Sequence, residues 1–128
     1  MRAVDTNVLV RLLTGDDAKQ AKAALAFLAT DGRVWVSQVV LVETSWVLRS
    51  VYGRSRSELG NAIETLLDHD AISLQEPDVV AAALSLFRRY PRVDFSDAMV
   101  LEIARKAGHL PVGTFDRALA TAEGARLL

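Results

Sequence analysis

The sequence predicts an α/β protein with a parallel sheet covered by helices on both faces, and three observations carry that prediction. Short apolar runs that read as strands alternate with longer stretches of helical apolar spacing along the whole chain. Cap and break residues fall between them, and such alternation is characteristic of strand–helix–strand units with right-handed crossovers. At 128 residues and 51% hydrophobic, the chain has enough apolar material for one continuous core. No Pro/Gly/Ser-rich linker, repeat or low-complexity tract divides it, so residues 1–128 read as one domain.

In order, Met1 to Val4 reads as a buried strand ending at Asp5-Thr6-Asn7, after which Val8, Leu9, Leu12 and Leu13 repeat at helical spacing. Gly15-Asp16-Asp17 breaks that helix and caps the next, Ala18 to Ala29, whose alanines with Leu25 and Leu28 form a close-packing face. Asp31-Gly32 is a turn into the strand Val34 to Val36. Ser37 caps a helix from Gln38 to about Val51, and Ser55 or Ser57 starts another that reaches His69. Ile72 to Leu74 is the third strand. Pro77 then sits in the first turn of a helix whose inward face is Val79, Val80, Ala83, Leu84, Phe87 and Tyr90, ended by Pro91. Asp94 and Asp97 open a helix that stops at Gly108, Leu110 to Gly113 forms the fourth strand, Arg117 to Ala122 a last short helix, and Ala125 to Leu128 an edge strand.

In a parallel α/β fold, ligands bind at the rim formed by the strand C-termini. Asp5 ends the first strand, Glu43 lies in the helix after the second, Asp97 opens the helix before the fourth, and Asp116 follows the fourth. These four carboxylates are therefore expected at one rim. Glu43 has Val39 and Val40 behind it and Trp46 and Val47 ahead, at helical spacing, so its carboxylate is expected within an apolar stripe that requires compensation. An arginine or a cap could supply it. Capping likewise explains any one of Asp5, Asp94 with Asp97, or Asp116, but not their common edge.

Oxygen ligands without Cys or a neighbouring His suit a hard cation such as Mg²⁺ or Mn²⁺. His69 and His109 fall near helix ends, apart from the acidic set. With no serine elbow and no evident base, water activated by metal is the available nucleophile, and phosphodiester hydrolysis the reaction class that follows. The net charge of −1 and pI near 6.1 argue against a nucleic-acid binder until bound cations are included. The basic residues are mostly arginines, Arg11, Arg49, Arg54, Arg56, Arg88, Arg89, Arg92 and Arg117 among them, and arginine suits phosphate. No GxGxxG or GxxxxGK[ST] motif occurs, which removes a nucleotide-binding Rossmann domain. The absence of cysteine excludes disulfides and thiolate metal sites. Charged residues interrupt the N-terminus at Asp5 and Arg11, and no uncharged run approaches the ~18 residues of a membrane span. A cytoplasmic protein with no membrane partner is the expectation.

Four segments together carry a resemblance: Val4-Asp5-Thr6-Asn7, Val42-Glu43, Asp94-Phe95-Ser96-Asp97-Ala98 and Thr114-Phe115-Asp116. In order and spacing the chain resembles the PIN-domain family over nearly its whole length, and within it the VapC toxins of bacterial toxin–antitoxin pairs. The resemblance implies a Rossmann-like α/β/α sandwich with a parallel sheet ordered 3-2-1-4-5, and Asp5, Glu43, Asp97 and Asp116 as catalytic metal ligands. It also implies supporting roles for Thr6 and Thr114, and for Asp94 at a position that is often acidic. The implied activity is a Mg²⁺- or Mn²⁺-dependent endoribonuclease acting on RNA, as a homodimer, with a small VapB-like antitoxin as partner. The alternative is a catalytically silent PIN-like module that binds RNA or a protein through the same cleft.

Overall fold

The computed structural model describes residues 1–30 and 32–128. Asp31, half of the expected Asp31-Gly32 turn, lies outside the described residues. By its internal contacts the chain divides into two compact units, Met1–Pro77 and Asp78–Leu128.

The first unit carries β1 (Arg2–Ala3), α1 (Thr6–Thr14), α2 (Ala18–Ala29), β2 (Val34–Val36), α3 (Gln38–Ser50), α4 (Arg56–Asp68) and β3 (Ile72–Leu74). Its sheet is parallel, with β2 between β1 and β3: Arg2 lies opposite Val34, and Val34 opposite Ile72. The second unit carries α5 (Pro77–Arg89, whose first residue is the boundary), α6 (Phe95–Ala107), β4 (Val112–Thr114), a 3-10 turn (Leu119–Thr121) and β5 (Ala125–Leu127). Here β4 and β5 pair in parallel, Val112 opposite Ala125 and Thr114 opposite Leu127. The neighbours 3-2-1 and 4-5 are those of the expected order. No helix of the described residues is long and apolar enough to cross a membrane.

Local chemistry sets the element ends. Asp17 and Ser37 accept from the backbone N–H three residues on, at 3.0 and 3.1 Å. Ser55, not Ser57, starts α4, because Glu58 reciprocates: Ser55 accepts from Glu58 N–H at 3.0 Å, and Glu58 from Ser55 N–H at 2.9 Å. Gly15 and Gly108 close α1 and α6 in the left-handed conformation that only glycine adopts without a Cβ penalty.

Several expectations are corrected. The first strand is only two residues long and Met1 is exposed. The Arg2 side chain donates to the carbonyls of Phe27, Thr30 and Gly32 and stacks over the Phe27 ring at 4.6 Å. On α2 only Ala24 is buried and Leu25 faces outward. Asp17 alone caps that helix, whereas Asp16 accepts from Arg11 (3.0 Å), Thr14 (3.0 Å) and Tyr52 (2.5 Å). Those hydrogen bonds hold the Asp16 carboxyl below the usual range, Tyr52 contributing most.

The fourth strand begins at Val112, not Leu110, since Pro111 has no N–H to donate, while Val112 N–H donates to Gly124 at 2.9 Å. Arg117 to Ala122 forms no full helix but a 3-10 turn inside that span. On α5, Leu86 is buried in the place expected for Tyr90, which is only half-buried.

The first core collects Leu9, Val34, Val36, Leu41, Leu59 and Ile63, and in the second unit Phe87 and Phe95 meet edge-to-face at 6.0 Å. Phe87→Ala is expected to cost ~3–5 kcal/mol and Ser55→Ala ~1 kcal/mol, while Leu25→Ala stays within about 0.5 kcal/mol of the parent. Urea unfolding checks all three, and a large loss at Leu25 would restore the packing face expected from the sequence.

Candidate active site

In the second unit the chain places three aspartates around the start of α6. Asp94 holds the N-cap position with extended backbone (φ −72°, ψ 154°), yet its side chain makes no cap hydrogen bond. The capping explanation therefore fails for Asp94, and its carboxylate is free for other work. Asp97 stands in the first helical turn, half-buried. Its carboxyl is pushed above the usual carboxylate range, first by burial and then by the negative charges of Asp116 and Asp94. Asp97 thus feels the charge of both of the others.

Asp116 is held by its own loop. One carboxylate oxygen accepts from the N–H groups of Ala118 (2.8 Å) and Leu119 (3.1 Å), which caps the 3-10 turn. The backbone N–H of Asp116 donates to the Thr114 hydroxyl at 3.0 Å, so Thr114, the last residue of β4, fixes the turn that presents Asp116. Asp116 is a cap with one oxygen and a member of the acidic group besides.

No described cation forms an ion pair with this trio. The basic residues of α6 are engaged elsewhere: Arg105 with Glu102 at 3.2 Å and Lys106 with Asp78 at 2.8 Å. The partial positive charge of a helix N-terminus, about half a unit, offsets only a fraction of three carboxylates. Among the described residues no three Asp, Glu or His side chains are drawn together into a metal cage.

The first unit holds the other candidates. Asp5 ends β1 as expected and caps α1, one oxygen accepting from Val8 N–H at 3.1 Å. It also lines an open pocket of about 590 Å³ with Val8, Arg11, Gln20, Ala24 and Phe27. Thr6, next to it, is buried in the first turn of α1.

Glu43 requires a correction, because it is exposed rather than set in a buried stripe. The inward residues of α3 are Leu41, Thr44, Ser45 and Leu48, whereas Val39 (76% exposed) and Trp46 (63%) share the outer face with Glu43. This helix is apolar on two sides. Ser45 is accommodated inside by donating to Val42 O at 2.6 Å, while the buried Thr44 hydroxyl has no partner. Periodicity alone pointed to the wrong side. Glu43 consequently has no burial cost to offset, and its candidacy rests on the resemblance.

His69 is structural, its Nδ1 accepting from Ala71 N–H at 3.0 Å. Sequence reasoning missed a pocket of about 440 Å³ in the second unit, lined by Tyr90, Arg92, Val93, Arg117 and Thr121 with Pro91 and Ala118. The available signal is the basic pair Arg92 and Arg117, which stand among the arginines suited to phosphate, but the apolar spacing of α5 points Tyr90 into the core.

A family model for the PIN domain matches residues 2–125, and the chain belongs to the PIN domain family. It is similar to the VapC ribonuclease of Aquifex aeolicus (strain VF5), at 25% identity over 120 residues, covering 91% of this chain and 88% of that protein.

The raised Asp97 carboxyl sets a pH dependence. The folded chain binds that proton more tightly than the unfolded chain, so stability falls as pH rises from the ordinary 3.8 through the raised value. In chelator, Asp97→Asn is expected to melt above the parent at pH 7, and the difference to close below about pH 4. Magnesium should raise the melting temperature of the parent and not of the variant. A variant less stable than the parent by the same margin at every pH would contradict this electrostatic picture.

Proposed function

We propose that this protein is a metal-dependent endoribonuclease, the toxin of a type II toxin–antitoxin pair. The observation that carries the proposal is the acidic group of Asp94, Asp97 and Asp116, with which no described cation pairs, Asp97 being held above its ordinary range first by burial and then by the charges of the other two. Its donors are all carboxylate oxygens, which fit Mg²⁺ or Mn²⁺ better than zinc. Asp97 and Asp116 are assigned as metal ligands, with Asp5 and Glu43 as the further ligands that the family resemblance implies. Similarity to a VapC ribonuclease supports the same reading.

A bound divalent cation supplies the charge that ionises water near neutral pH and offsets negative charge developing at phosphorus. The protein's own groups do the positioning. Asp116 keeps one oxygen on the backbone of its turn and leaves the other for the site, and Thr114 holds that turn in place. Asp97 projects from the first turn of a helix, a rigid mount. Asp94, exposed and uncapped, supplies further negative charge beside it. Hydrolysis then adds the oxygen of water to phosphorus and breaks one bridging P–O bond, with a proton passing to the leaving oxygen.

The toxin assignment includes a protein partner, a small VapB-like antitoxin, and a homodimeric state. Support for a partner comes from the outer face of α3, where Val39 and Trp46 are exposed on either side of Glu43.

Single-stranded RNA is expected to be cleaved with Mg²⁺ or Mn²⁺ and spared in chelator. Asp97→Asn and Asp5→Asn should each lose more than the ~10–100-fold that disturbing an indirect metal partner costs. Gel-resolved cleavage rates check this, with calorimetry for metal affinity. Unchanged rates in both variants would remove the assignment, and a chain that neither binds metal nor cleaves RNA would be the silent module.

A further inference from the structure

The pocket formed by Tyr90, Pro91, Arg92, Val93, Arg117, Ala118 and Thr121 has no role in the chemistry above. It stands directly after α5, and sequence ties both of its arginines to the acidic group: Arg117 follows Asp116, and Arg92 precedes Asp94 by two residues. Both residues are exposed, and neither enters an ion pair or hydrogen bond among the described residues. Ala118, in the same pocket wall, donates its N–H to the Asp116 carboxylate at 2.8 Å, so the pocket adjoins the turn that carries Asp116. Tyr90 and Pro91 give that pocket an apolar wall, and Arg89 stacks on the Tyr90 ring at 5.4 Å, adding a further positive charge.

We propose that this pocket is a subsite for the RNA backbone, in which Arg92 and Arg117 grip a phosphate next to the one that is cleaved. The inference rests on the ribonuclease reading for its substrate. A guanidinium fork donates two parallel hydrogen bonds to a phosphate, and a ribose or base lies against an aromatic wall. A volume of about 440 Å³ accommodates such a unit. A protein clearing RNA by metal chemistry at the acidic group needs a counterweight to hold the polyanion there, and this pair supplies it.

The test separates binding from cleavage. Fluorescence anisotropy of a labelled ten-nucleotide single-stranded RNA is measured in chelator with the full chain, with Arg92→Ala, Arg117→Ala and the double variant, and with Arg54→Ala as the basic comparator. Each pocket variant is expected to weaken binding roughly fivefold to tenfold at low salt and to reduce the slope of log affinity against log salt by about 0.7. Arg54→Ala should bind as the parent does. Arg117→Lys should recover part of the loss, since the charge is kept and the fork is not. Parent-like affinity and slope in the double variant would overturn the subsite, as would a parent chain that does not bind RNA. If RNA is cleaved with Mg²⁺ while the double variant keeps the parental KM, the nuclease stands and the subsite falls. If the arginine variants lose binding but no metal supports cleavage, the subsite stands and the nuclease falls.

Discussion

The half-burial of Asp97 beside the like charges of Asp116 and Asp94 is the constraint on which the functional reading depends. A folded chain normally disposes of such repulsion by pairing each carboxylate with an arginine, a lysine or several N–H groups. Here the lysine and arginine of α6 pair with Asp78 and Glu102, the N-cap aspartate leaves its helix uncapped, and Asp116 spends only one oxygen on its turn. The fold thus tolerates a local instability that a cation would relieve. Stability is given up at the start of one helix, while every other helix start with a cap residue is satisfied in the ordinary way.

Much of this was legible in the residues. The strands Val34–Val36 and Ile72–Leu74 and the helix Ala18–Ala29 have the boundaries that pattern and caps predict, because β-branched runs and Asp or Ser caps act locally. The pairing of α6 with Gly108 follows from the same local rules. What could not be read depends on tertiary surroundings. A helix with apolar residues on two sides does not announce which side turns inward, so Glu43 was placed in the interior although it is exposed. Leu25 and Tyr90 were misplaced for the same reason. Asp16 and Asp17 are equivalent as letters, but Tyr52, 36 positions away from Asp16, joins Arg11 and Thr14 in distinguishing the carboxylate that knits a loop from the one that caps a helix.

The site shows the same division. Asp94, Asp97 and Asp116 are visible as a pattern in the sequence, and the resemblance to PIN-domain proteins gives them a chemistry. The structure added the effect of Asp116 and Asp94 on Asp97, the hydrogen bond by which Thr114 holds the Asp116 turn, and the pocket that Arg92 and Arg117 share. On the proposed reading, the exposed arginines and the acidic group would meet different parts of one complex, a cation bound to a polyanion.

The most direct measurement is a carboxyl NMR titration of Asp97, carried out in chelator and again with saturating Mg²⁺. The account predicts a midpoint above the ordinary carboxylate range without metal, falling below that range when Mg²⁺ is present, as the repulsion is replaced by attraction. An ordinary midpoint that Mg²⁺ does not move would contradict it.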